Sequence, residues 1–90
     1  MGNTITTYEL ADLLVGWIKR YDPYEYADAG VSDEEAMEET MHELESGNTE
    51  GYYLYLSNAL DEEEVIEERH EILNLMDMIR EYECENGITH

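Results

Sequence analysis

Two stretches of this 90-residue chain are so acidic that they restrict every fold it can adopt. Ser32–Glu45 reads SDEEAMEETMHELE, residues 61–71 read DEEEVIEERHE, and each of 33–45 and 61–71 carries seven acids. Neither stretch can be interior, because an unpaired carboxylate taken out of water is prohibitively costly. As helices they repel themselves. Glu34–Glu38, Glu35–Glu39, Glu39–Glu43, Glu63–Glu67, Glu64–Glu68 and Glu67–Glu71 are like-charge pairs four residues apart, each unfavourable by about 0.2–0.5 kcal/mol. Such segments stay folded only if a line of apolar residues ties them to the rest of the chain.

That line is present at helical spacing in four segments. The first is TTYELADLLVGWIKRY. Thr6 and Glu9 have capping-box spacing, and Leu10, Leu13, Leu14, Trp17, Ile18 and Tyr21 fall on one face. Lys19 and Arg20 occupy its last turn, where the helix dipole favours cations, and Pro23 lies beyond. Residues 22–31, DPYEYADAGV, form the one long connection; its Tyr24 and Tyr26 either cover the core or offer a contact surface. The second helix begins at a Ser32/Glu35 capping box, buries Met37, Met41 and Leu44 with Ala36 and Thr40 filling in, and ends at Gly47-Asn48. The third, TEGYYLYLSNAL, takes Thr49 as cap and Tyr52, Tyr53, Leu56, Ala59 and Leu60 as core face. The fourth runs from Asp61 or Glu62 to about Cys84, with a stripe of Val65, Ile66, Ile72, Leu73, Leu75, Met76, Met78, Ile79 and Tyr82, and closes at Asn86-Gly87. The expected architecture is all-α, a bundle of about four helices with short connections in one domain over 1–90.

Twenty-four acids against four bases give a net charge of −20 at pH 7. Nucleic acid and anionic membrane both bind through Lys and Arg, so neither is a direct partner. Cys84 is the single cysteine, which excludes a disulfide framework and points to the reducing cytoplasm. No apolar run approaches the roughly 18 residues of a membrane span.

Catalytic and metal chemistry find little footing. Glu39/His42 and Glu67/His70 have the E-x-x-H spacing of di-iron carboxylate bundles, but their phase turns them away from the core positions 37, 41, 44 and 65, 66, 72, 73, 76. A calcium loop from Asp22 fails because Tyr24 and Tyr26 take ligand positions and Ala27 stands where Gly is needed. No Ser-His-Asp grouping and no glycine-rich phosphate loop can be found. Glu81, Glu83 and Glu85 around Cys84 make its thiol less reactive. The expectation is a non-enzyme without cofactor or metal.

What remains is a binding role for the acids themselves. A solvated helix face accounts for some of them. Glu43 and Glu45, however, sit at the end of the second helix, where negative charge is unfavourable. Acids every three or four helical positions place a charge about every 5–6 Å along one side. Duplex DNA carries one per 3.4 Å per strand, which two acidic helices side by side would approach. On that reading Glu34, Glu35, Glu38, Glu39 and Glu43 on one helix, and Glu63, Glu64, Glu67, Glu68 and Glu71 on the other, meet a basic nucleic-acid-binding protein, with Tyr24 and Tyr26 as aromatic anchors. The alternative is an adaptor that docks through its Met and Tyr faces.

Asp22, Pro23, Tyr24, Glu25 and Tyr26, followed by an acidic helix and the break at Ser46, Gly47 and Thr49, resemble the small acidic domains of the large polyvalent proteins of Firmicutes conjugative elements and phages. The resemblance covers about residues 17–80. It implies a setting in which mobile DNA evades host defence, where phages use small acidic anti-restriction and anti-CRISPR proteins. Taken with the charge reading, that setting makes the expected partner a defence nuclease in the cytoplasm of a bacterial host.

Overall fold

The computed structural model describes residues 5–24 and 30–88, and among them all regular structure is helical. Four helices follow one another: α1 Thr7–Tyr21, α2 Asp33–Glu45, α3 Glu50–Glu62 and α4 Ile66–Glu85. They run alternately up and down. At one end of the molecule the C-terminus of α1 meets the N-terminus of α2 through Lys19 and Asp33, and meets α4 through Arg20 and Glu71. At the other end Ile5 N–H donates to Glu85 (3.2 Å) and the hydroxyls of Thr7 and Tyr82 share a hydrogen bond (2.8 Å).

The expected start signals operate on α1 and α2. Thr6 Oγ1 accepts from Glu9 N–H at 3.1 Å, and Ser32 Oγ accepts from Glu35 N–H at 3.2 Å. The stops of α2 and α4 share one design. Gly47 (φ +83°) and Gly87 (φ +68°) turn left-handed, so Asn48 N–H returns to Glu43 O at 2.9 Å and Ile88 N–H to Glu83 O at 2.8 Å. A side chain at either position would be strained, because that φ crowds a Cβ.

The core is built round α1, whose Leu10, Ala11, Leu14, Trp17 and Ile18 are buried with Leu44 of α2, Leu56 and Ala59 of α3, and Ile72, Leu75, Met76, Ile79 and Tyr82 of α4. Met37 and Met41 only half-pack, and the tightest contacts of α2 come from Ala36, Thr40 and Leu44. Leu13 and Tyr21, expected on the buried face of α1, are 43% and 39% exposed. The broad stripe they suggested narrows because α1 packs chiefly against α2 and α4.

The largest departure is the last helix, which does not begin at Asp61 or Glu62. Helix α3 runs on through Glu62, residues 63–65 break the chain, and α4 starts at Ile66. The break is satisfied locally. Arg69 donates to the carbonyls of Leu60 (2.7 Å) and Glu63 (2.9 Å), and the Glu63 carboxylate accepts from the N–H groups of Glu64 (3.1 Å) and Val65 (3.0 Å). Val65 and Ile66, expected in the core, are consequently exposed, and Leu73 is exposed because it lies off the face of Ile72, Leu75, Met76 and Ile79. Thr49 also differs from expectation. It makes no side-chain cap; its hydroxyl, fully buried, donates instead to the buried Glu83 carboxylate of α4.

Leu14→Ala should lower unfolding free energy by about 2–5 kcal/mol, because it opens a cavity where nothing can collapse, whereas Leu13→Ala should cost below about 1 kcal/mol. Urea denaturation of the two variants measures both.

Candidate partner-binding surface

Each of the four basic side chains is engaged within the chain. Lys19 reaches Asp33 at 2.5 Å and Arg20 reaches Glu71. Arg69 holds the α3–α4 corner. Arg80 donates to Glu83 at 2.8 Å, lies 3.6 Å from Glu50 and stacks 3.6 Å above the Tyr53 ring. The exposed pairs of Lys19 and Arg20 each stabilise by about 0–1 kcal/mol. Lys19, Arg20 and Arg80 stay partly exposed, but each is already paired with a carboxylate and none is free to balance the remaining acids.

The acids singled out from sequence divide by environment. Glu34, Glu35, Glu38 and Glu39 on α2, Glu64 before α4, and Glu67 and Glu68 on α4 are exposed. Glu43 is half-buried and accepts from Asn48 at 2.9 Å. Glu63 is half-buried and occupied with the start of α4. Glu71 is bound to Arg20. Tyr24 is 69% exposed, so it does not cover the core; Tyr26 lies outside the described residues. The pairs Glu39/His42 and Glu67/His70 are exposed on two different helices.

The two acidic helices do not lie side by side as main packing partners. Helix α1 packs against both, and α4 packs against α3. What gathers the acids is the alternating direction of the bundle, which brings the start of α2, the end of α3 and the start of α4 to one pole. Asp33, Glu34, Glu35, Glu62, Glu63, Glu64, Glu67, Glu68 and Glu71 belong to that end, together with Lys19 and Arg20. Glu38 and Glu39 continue it along α2, and Glu43 lies at the far end.

At the acidic pole Tyr21 stacks on Trp17, ring centroids 4.7 Å apart, and Tyr55 meets both rings edge-on. The Tyr21 hydroxyl donates to Glu62 at 3.1 Å. Its pKa is raised above 10.0, first by desolvation and then by the Glu62 hydrogen bond and the charges of Glu62, Glu63 and Asp22. Beside it opens a cleft of about 310 Å³ lined by Trp17, Arg20, Tyr21, Glu63 and Glu68. Neither Tyr21 nor Glu62 stands out in the sequence, where Tyr21 reads as the last rung of an apolar stripe. The proximity of Glu62 follows only from the true end of α3. No family model, curated protein or solved structure matches the chain. No helix among the described residues is long and apolar enough to cross a membrane.

Relief of self-repulsion should be measurable. Glu39→Lys turns the Glu35–Glu39 and Glu39–Glu43 repulsions into attractions, and should raise unfolding free energy by about 1 kcal/mol at low salt, with the gain shrinking as salt is added. Tyr52 gives a second test. Its pKa is raised above 10.0, mainly by burial, with Glu43 and Glu39 adding to the rise and its hydrogen bond with Thr40 opposing it. The folded state therefore keeps its proton longer than the unfolded chain. Stability from this source is complete below pH 10.0 and is lost as pH rises through the folded value. Alkaline unfolding followed by circular dichroism should shift to higher pH in Tyr52→Phe.

Proposed function

We propose that this protein is an acidic inhibitor of a host nucleic-acid-targeting defence nuclease, a CRISPR effector or a restriction enzyme. It occupies the basic nucleic-acid channel of that enzyme by charge mimicry, inside the bacterial host cell. The observation that carries this reading is that Lys19, Arg20 and Arg80 are each paired with a carboxylate and Arg69 with carbonyls of the α3–α4 corner, so that no free base balances the exposed acids. A protein selected for stability alone would interleave cations with its surface acids; here α2, with seven acids over 33–45, carries no Lys or Arg. The exposed residues Glu34, Glu35, Glu38, Glu39, Glu64, Glu67 and Glu68 supply the contacts, with the exposed Tyr24 as an aromatic anchor.

The adaptor reading draws less support. Of the Met and Tyr faces it relies on, Met37 and Met41 are half-buried against the core, while Tyr8 and Tyr24 are exposed.

The test is DNA cleavage by a guide-loaded CRISPR effector and by a panel of restriction endonucleases, with the protein added at rising salt. Inhibition of at least one of them is expected at 50 mM salt, weakening by about three orders of magnitude at 200 mM. The triple variant Glu34→Lys, Glu38→Lys, Glu39→Lys should lose about two orders of magnitude in potency while remaining folded. Inhibition indifferent to salt and to charge reversal would establish docking through an uncharged patch.

A further inference from the structure

The cleft at the acidic pole has a counterpart elsewhere in the molecule. At the opposite end the guanidinium of Arg80 lies 3.6 Å above the Tyr53 ring, with Glu83 at 2.8 Å and Glu50 at 3.6 Å. One tyrosine face and two glutamates thus form a seat for an arginine of the same chain. The cleft offers the same set, Tyr21 with Glu63 and Glu68; Tyr21 is a residue 39% exposed, with one ring face on Trp17 and the other left for a ligand. Among the described residues, no cation of the chain lies over that ring. Arg20, which also lines the cleft, is neutralised by Glu71. Glu68 carries no ion pair among the described residues and faces solvent, and only one oxygen of Glu63 is used at the start of α4. Glu62 beside Tyr21 adds to the negative field.

We propose that this cleft is a seat for an arginine side chain of the protein partner, the guanidinium stacking on Tyr21 and donating to Glu63 and Glu68. A guanidinium suits the lining better than an ammonium, because its planar face packs on an aromatic ring while its edge donates a fork of hydrogen bonds to carboxylates. The inference rests on the partner being basic, and it gives that partner a defined anchor: an exposed arginine of the channel wall enters here, while the acids around the pole steer the approach.

The test uses the whole protein and a capped tripeptide Gly-Arg-Gly, with Gly-citrulline-Gly as its neutral isostere and Gly-Lys-Gly as the ammonium control. Trp17, the single tryptophan, lines the cleft, so its indole N–H resonance reports occupancy. The arginine peptide should shift that resonance saturably, the citrulline peptide should leave it in place, and the lysine peptide should bind several-fold more weakly. Glu68→Gln should weaken the arginine peptide about three- to tenfold, whereas Glu34→Gln, with the same change in charge at the same pole, should change it less than twofold. Equal responses to lysine and arginine, equal effects of the two variants, or shifts spread evenly over the acidic surface would each overturn the seat in favour of diffuse attraction. No nuclease enters this measurement. Arginine binding without inhibition of any enzyme would remove the proposed function and keep the seat; inhibition that survives in Glu68→Gln with no peptide binding would do the reverse.

Discussion

Lys19, Arg20, Arg69 and Arg80 stand at helix junctions: α1 with α2, α1 with α4, the α3–α4 corner, and the flank where α3 meets α4. In a chain of net charge −20 these are the places where repulsion between neighbouring helices would be felt most. Each cation is held close to a carboxylate or a helix-end carbonyl, so the four together act as fasteners between elements that would otherwise push apart. The arrangement has a second effect. A base paired with one carboxylate no longer offsets a second, so the same contacts leave the unpaired charge of the exterior of one sign.

The up-and-down order of the helices then sorts that exterior. Acids in the first turns of α2 and α4 meet the positive ends of their helix dipoles. Asp61 and Glu62 do not, since they end α3 rather than start α4. The Tyr21 hydroxyl offsets part of this at Glu62, and Arg69 binds the α3 carbonyls that the dipole makes negative. Charge at this pole is thus tolerated by local means more than by the sum of favourable dipoles.

Much of the architecture could be read from residues alone, because capping pairs and apolar spacing are local signals. Thr6/Glu9, Ser32/Glu35, Gly47-Asn48 and Asn86-Gly87 mark helix ends where the structure has them. The break at 63–65 was not legible. EEEV carries no Gly or Pro, and the interruption depends on Arg69 reaching back across the corner, which no window of sequence displays. The same failure misplaced Val65 and Ile66, whereas Leu73 was misplaced by taking the stripe of α4 too broad. The exposed acids of the candidate surface were legible by composition and phase, but their gathering at one pole was not, since it depends on helix direction. Thr49 shows the limit of motif reading: a residue of the right type at a helix start serves a buried carboxylate on another helix.

The ending of α4 has a further consequence. Ile88, just past Gly87, packs against the core and approaches Gly47 at the end of α2, over the same hollow that Leu44 and Tyr82 line. Helix termini usually fray independently, each opening for little free energy. Here neither can loosen alone, because unwinding the last turn of α4 withdraws Ile88 and uncovers the neighbouring helix end. The final turns of α2 and α4 are thereby tied through one apolar side chain.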